Sequence, residues 1–431
     1  MVSPLVWSLV PRGTAAAAAI LLLGAFHPLG GADSPAPDPD SVDSRGTVLD
    51  LARGNTDFAL DLYRLLAAEE STENLFFSPH GVSTALSMTW AGARGETADE
   101  MARTLRLPEH PAKTIHAAFA TLREGTRSGR SEEGGAEWGE VNGIIAAEGF
   151  PIREEYKAFQ ARQYLAGVLT IDPADPVAAA ERIDEWFAEG TAGRIRNLVP
   201  EERIGADLVL LLASAVRFTG EWENAFPAGA TAESPFHTRD GRTVSVPMMH
   251  RTGKYPFAEE EGIRAVELPY RGGAFSFVAL LPVDPDGFPS MEGRLEGDLL
   301  HRLFERLEER RVEVVLPRLL FDLGLDLTGT LRAMGMERAF TPGADFSGIS
   351  ARGGLSIDRV LHRAFLEMDE RGAEAAAGTA VTLKRGAPPG PAVLFRADRP
   401  FLFLIREREY GSVLFLGRAA DPAVETDRSS G

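Results

Sequence analysis

Residues 369–394 read DERGAEAAAGTAVTLKRGAPPGPAVL, and the fold turns on how this stretch is understood. Its bland reading is a flexible Ala/Gly spacer between two strands, which composition alone favours. Two features argue for more than a spacer. A structureless connection of more than about 20 residues is uncommon inside a compact domain, and is usually functional or disordered. The parity is also selective: Ala373, Ala375, Ala377, Thr379 and Val381 share one face if the stretch becomes a strand, and none is charged or bulky. Glu374 falls on the other face with Ala376, Gly378 and Ala380. Proline, which would remove a ladder hydrogen bond, is absent until Pro388. The segment can therefore enter a sheet interior without burying a charge. Just beyond it, Lys384-Arg385 ahead of Gly386-Ala387-Pro388 is a target for trypsin-like cleavage on an exposed loop.

Upstream of this stretch, helical periodicity dominates. Residues 55–66 place Phe58, Leu62, Leu65 and Leu66 on one helical face. Ser78-Pro79 is an N-cap followed by proline at the first helical position, opening a helix through Val82, Leu86 and Trp90. Thr97 and Glu100 form a capping box for a helix over residues 101–105. Residues 176–188 make a further helix, with Ile183 and Phe187 spaced by four. Residues 208–216, LVLLLASAV, are unbroken apolar sequence, as expected of a strand buried on both faces. Strand-like runs follow at 265–268, 275–281, 312–316, 394–395, 401–405 and 413–416, with helices near 296–308 and 325–334. This order predicts an α+β fold around large mixed sheets and not a regular βαβ alternation.

Composition narrows the function. The chain has 431 residues, enough at about 150 per domain for two or three domains. Its net charge of −18 disfavours nucleic acid, heparin-like polyanions and anionic membranes as broad partners. With no cysteine there is no disulfide, thiol catalysis or Cys-ligated zinc. Residues 14–26, TAAAAAILLLGAF, have the length of a signal-peptide core and are too short to span a membrane. Residues 1–32 are expected to be an export signal cut near Ala32, or else an uncleaved anchor. Residues 33–46 are a Pro/Asp/Ser-rich leader. One large domain over 47–423 and a short tail, 424–431, complete the expected organisation, and the protein is expected outside the cytoplasm, extracellular or periplasmic. Enzyme signatures are lacking: no HExxH, no GxSxG, no phosphate loop and no GxGxxG after a strand. No metal site or cofactor is expected.

A series of ordered motifs now carries a resemblance. NTDFALDLY (55–63), ENLFFSPHGVSTALSM (73–88), GARGETADEM (92–101), RIDEWFAEGTAGRI (182–195), FTGEWENAF (218–226), AVELPYRG (265–272) and VVLPRL (314–319) are followed by DFSGIS (345–350), LHRAFLEMDERGAEAAAGTAV (361–381), FRADRPFLFLIRE (395–407) and LFLGRAADP (414–422). Over residues 55–420 the chain resembles a serpin. The resemblance implies a single α+β domain with three β-sheets, eight or nine helices and an exposed reactive-centre loop at about 370–394.

It further implies suicide inhibition. A serine protease attacks the loop and forms a covalent acyl-enzyme, and the cleaved loop inserts into the central sheet before hydrolysis finishes. About a dozen newly paired residues at roughly 0.5–1.5 kcal/mol each give on the order of 10 kcal/mol, comparable with the whole stability of a domain. By resemblance, Glu370, Gly372, Ala373, Ala375, Ala376 and Ala377 are the hinge. Arg318 is the basic partner of Glu370, and Trp222 lies beneath the point where the loop enters the sheet. Ser78, Ser214 and His362 belong to the polar cluster that lets the sheet open, with Ser214 in place of the family's usual asparagine and Gly81 in place of a second serine. Counting from the hinge places the reactive bond at Gly386–Ala387; a register one shorter makes Arg385 the residue read by the protease, which basic-side-chain chemistry favours. The alternative is a non-inhibitory binding or carrier serpin, whose hinge tends to carry proline, charged or bulky residues. The expected partner is a serine protease, the expected state a monomer, and no heparin-like activator is expected, because residues 110–143 hold Lys113, Arg123, Arg127 and Arg130 amid five glutamates.

Overall fold

The unbroken apolar run at 208–216 is buried on both faces, and the central sheet is built around it. The computed structural model describes residues 44–69, 72–128, 135–191, 193, 195–373, 391–424 and 426–428. Nine α-helices occur among them: α1 (Ser44–Glu69), α2 (Pro79–Trp90), α3 (Gly95–Thr104), α4 (Ala112–Ser128), α5 (Glu154–Gln163), α6 (Pro176–Gly190), α7 (Phe288–Arg294), α8 (Gly297–Glu305) and α9 (Thr328–Ala333). The first strands are β1 (Leu75–Phe77), β2 (Glu137–Ala147), β3 (Val168–Ile171), β4 (Leu210–Glu221), β5 (Ala232–His237), β6 (Thr243–Glu260), β7 (Ile263–Pro269) and β8 (Phe275–Pro282). They are followed by β9 (Glu308–Pro317), β10 (Leu319–Asp326), β11 (Arg359–Met368), β12 (Gly372–Ala373), β13 (Val393–Arg396), β14 (Phe401–Glu407), β15 (Val413–Ala419) and β16 (Thr426–Arg428).

The central sheet has seven strands in the order β16-β10-β11-β12-β4-β2-β3. Below β12, β4 and β11 pair directly and in parallel, from Leu211↔Arg359 to Phe218↔Leu366. The strand β4 lacks alternation because both of its faces are covered. On one side Leu211, Ala213 and Ala215 meet Ile183 and Phe187 of α6. On the other, Leu210 and Leu212 join the helical core, and Val216 and Phe218 join the core shared with the second sheet.

That second sheet follows β1-β15-β14-β8-β7-β6-β9-β13, with β5 on β6. The 18-residue β6 explains why two of the three expected sheets are hydrogen-bonded into one. It pairs with β5 at its start, with β9 along its middle and with β7 at its end.

Three boundaries differ from the sequence expectation. The helix α1 begins at Ser44, inside the expected leader. The expected tail contains β16, which adds in parallel to β10. The third difference is the supposed capping box. Thr97 and Glu100 lie inside α3, which starts at Gly95 after Arg94. Thr97 Oγ1 accepts instead from Asp345 N at 2.9 Å, and Glu100 Oε2 from Arg338 N at 2.7 Å. Both side chains cap a distant loop, a role that sequence spacing does not reveal.

Candidate functional site

At the top of the central sheet the chain leaves β11 at Met368, turns through residues 369–371 and comes back as β12. Asp369 makes the turn, its Oδ1 accepting from Arg371 N at 2.7 Å and Gly372 N at 3.2 Å. The returning strand wedges between the two parallel strands: Ala373 pairs with Met368 of β11 and with Gly220 of β4, and Gly372 with Glu221. Gly372 has φ 141°, and a Cβ there would stand 1.9 Å from Gly220 O, so only glycine fits. Ala373 is fully buried in the core shared by the two sheets.

The turn is clamped from outside. Arg318, on the short link between β9 and β10, donates from Nε to both carboxylate oxygens of Glu370 at 3.1 Å, and from Nη2 to Oε1 at 2.6 Å. Thr231 Oγ1 donates to the same Oε1 at 2.6 Å. Burial pushes the Glu370 carboxyl up, but the hydrogen bonds from Arg318 and Thr231 outweigh it and hold it below the usual carboxylate range. Trp222 lies against the turn. Its main-chain N donates to Arg371 O at 2.7 Å and its indole Nε1 to Asp369 O at 2.9 Å, while the ring stacks on Tyr270 at 4.5 Å. Phe226 N donates to Glu370 O at 2.7 Å.

Lower down, the β4–β11 seam crosses a polar cluster at the start of α2. Ser78 caps the helix by accepting from Gly81 N at 3.0 Å, and its Oγ donates to Leu414 O at 2.7 Å. Its main-chain N donates to His362 Nε2 at 2.9 Å. That bond makes Nε2 the acceptor and leaves the proton of the neutral ring on Nδ1. Burial lowers the His362 pKa to about 3, so the ring is neutral near pH 7. His362 and Ser214 are register partners across the seam, and Ser214 in turn faces Asn142 of β2. Gly81 is forced by contact: a Cβ would lie 2.6 Å from Val216 Cγ2 and 2.9 Å from Ser214 Oγ. Three buried polar atoms in this row have no hydrogen-bond partner among the described residues: Asn142 Oδ1, Ser214 Oγ and His362 Nδ1.

The structure thus brings together Arg318, Trp222, Glu370, Gly372 and Ala373 at the top of the seam, and Ser78, Ser214 and His362 beneath its middle. Ala375, Ala376, Ala377, Lys384, Arg385, Gly386 and Ala387 lie outside the described residues. Sequence reasoning did not find Thr231, Phe226 and Asn142. Nothing local marks them, because each becomes relevant only through a partner on another strand. No group of three or more metal-ligating side chains occurs among the described residues, and no described helix is long and apolar enough to cross a membrane.

A seven-stranded central sheet in which the short β12 pairs between the parallel strands β4 and β11, packed with nine described helices and a second large sheet, defines an α+β class of protein. The chain belongs to the serpin family, described as serine protease inhibitors, which it matches over residues 53–422. It is 39% identical to an uncharacterized serpin-like protein of Thermococcus kodakarensis, across 85% of this chain and 84% of that one. It is 32% identical to the leukocyte elastase inhibitor of Equus caballus, across 86% and 99% of the two chains. Among solved structures, human thyroxine-binding globulin superposes with a TM-score of 0.80 at 27% identity, covering 87% of this chain and 99% of that one. The family is one of protease inhibitors, so the protein is not an enzyme.

Proposed function

We propose that this protein is a suicide inhibitor of serine endopeptidases of trypsin-like or subtilisin-like specificity. The protease serine attacks the scissile carbonyl at Arg385 or Gly386, forming an ester to the loop and releasing the new amine of the next residue. Residues 374–385 then extend β12 down the β4–β11 seam, carrying the acylated protease with them before water completes hydrolysis. The single observation that carries the reading is Ala373: the first member of the small-residue row is buried on the core face between β4 and β11. The residues that follow it on that face, Ala375, Ala377, Thr379 and Val381, are compatible with the same burial. The proposal includes an export signal at 1–32, an inhibitor domain ending near 423, action outside the cytoplasm, a monomeric state and no dependence on a polyanionic activator.

The second reading, a carrier serpin cleaved without trapping, is supported by the likeness to thyroxine-binding globulin. The hinge composition GAEAAAGTAV weighs against it. Mixing the purified protein with trypsin, subtilisin or elastase and running denaturing gels separates the two. The inhibitor reading expects a band near the summed mass and a released C-terminal peptide beginning at Gly386 or Ala387. Quantitative cleavage with no covalent band overturns it in favour of the carrier.

A further inference from the structure

We propose that strand β16 guards the edge of the central sheet, and that the edge it covers, residues 321–323 of β10, is a strand-accepting surface whose partner, once the guard is displaced, is a second copy of this chain. The inference goes beyond the inhibitor reading and does not depend on it. Without β16, β10 would be the last strand on its side of the sheet. An edge strand presents unpaired N–H and C=O groups, and a long apolar one is a template for pairing with another chain. Strand β10 is of that kind: its eight residues read LLFDLGLD, and five of them are Leu or Phe.

Elsewhere the sheet blunts its edges by other means. The opposite edge, β3, has only four residues. The far end of β10 carries Gly324 and then Asp326, whose Oδ2 accepts from Arg203 Nη1 at 3.1 Å and from Arg359 Nη1 at 2.8 Å. A glycine and a charge cluster both discourage an incoming strand. Residues 321–323 have neither device. Phe321 and Leu323 are buried in the core shared by the two sheets. Asp322 Oδ1 accepts from Arg363 Nε at 2.6 Å, which draws its charge towards the neighbouring β11. It is this stretch that β16 covers, in parallel, with Thr426 opposite Phe321, Asp427 opposite Asp322 and Arg428 opposite Leu323.

The approach to β16 is fixed as well. Where the chain leaves β15, Asn74 Oδ1 accepts from Ala420 N at 2.8 Å and from Asp421 N at 2.9 Å, while Asn74 Nδ2 donates to Asp421 O at 2.7 Å. The Asp421 carboxylate accepts from Arg242 Nη2 at 2.9 Å on one oxygen and from Ala423 N at 3.0 Å on the other. Asn74 immediately precedes β1, which itself pairs with β15. The exit of the chain is therefore tied to the body of the second sheet, and only a short link separates this anchor from β16. A tethered strand meets its edge at a high effective concentration, so it outcompetes a second molecule until the pairing is broken.

The test combines Thr426→Pro with Asp427→Pro in the full chain. Adjacent amides of a strand point to opposite sides, so one of the two prolines removes a donor that faces β10. The control combines Thr426→Ala with Asp427→Ala, which alters the same side chains and keeps both donors. Sedimentation velocity reads the oligomeric state, and hydrogen exchange is followed at residues 321–323 over a range of protein concentrations. In dilute solution the proline variant is expected to exchange there about tenfold faster than wild type, equivalent to about 1.4 kcal/mol of lost pairing. As its concentration rises it is expected to self-associate, with protection returning at the same amides, while the alanine control behaves as wild type. A proline variant that stays monomeric at high concentration overturns the inference. So does association that leaves residues 321–323 exchanging fast, which puts the contact elsewhere, and so does an alanine control that associates as readily. Trapping of trypsin is measured separately, and its failure would strike the inhibitor reading alone.

Discussion

Gly372 and Glu370 fix, at the scale of single residues, the geometry of the turn that leads from β11 into β12. A Cβ at 372 would overlap Gly220 O and crowd Glu221 and Trp222, on a backbone that L-residues rarely adopt. Gly372→Ala is therefore expected to expel β12, at an energetic penalty of about 1–3 kcal/mol for the present geometry. Hydrogen exchange at residues 218–222 and 372–373 should rise in this variant and stay at wild-type rates at the bottom of the seam. Glu370 controls the same joint through charge. Its carboxyl pKa lies below the unfolded value, so its stabilising contribution is complete above about pH 4.5 and disappears as acid protonates the folded form. Glu370→Gln should remove the acid sensitivity of the hinge, read as exchange at Ala373 between pH 6 and pH 3. It should also cost about 1 kcal/mol, a modest value because Arg318 is half exposed. The glutamate and arginine are visible in the sequence, yet 52 residues separate them and their contact is a tertiary fact.

At the scale of elements, the strand that matters is β12, of which Gly372 and Ala373 are described. Extending β12 requires each odd-numbered side chain from 375 onward to fit the core face, and each hydrogen bond along the way to form on both sides. Under the proposed insertion, Ala375→Arg would put a cation on that face, where an unpaired buried charge costs several kcal/mol. Adduct with trypsin should fall at least about tenfold, with cleavage continuing at the wild-type rate, because about 1.4 kcal/mol is already a factor of ten. A variant that traps as well as wild type would mean the segment is not buried at that position. The helices and strands of the scaffold were largely legible in the sequence, because α1, α2, α6 and β4 carry strong apolar periodicity or unbroken apolar runs. The long β6 was not, because its pattern is interrupted where it crosses from one set of partners to another.

For the whole molecule, the two histidines His116 and His362 tie stability to pH. Burial holds His116 at about 4 and His362 at about 3, both below the usual imidazole value. The unfolded chain binds these protons first, so stability is full above about pH 6.5 and falls as the pH drops towards the folded values. Melting followed from pH 7 to pH 4 should fall progressively, and His362→Asn should flatten part of that slope. Taken by itself, the sequence determined that this chain folds as a serpin, that residues 373–381 are small, uncharged on one face and free of proline, and that a basic pair follows them at Lys384-Arg385. These are properties of composition and parity, which exist before folding. Only the tertiary structure decided that Gly372 and Ala373 pair between β4 and β11, that Arg318 and Thr231 clamp Glu370, and that Asn142 Oδ1, Ser214 Oγ and His362 Nδ1 lie buried in one row without a hydrogen-bond partner among the described residues. Each depends on registers between strands distant in sequence, and a register is fixed by packing the whole sheet rather than by any segment of it.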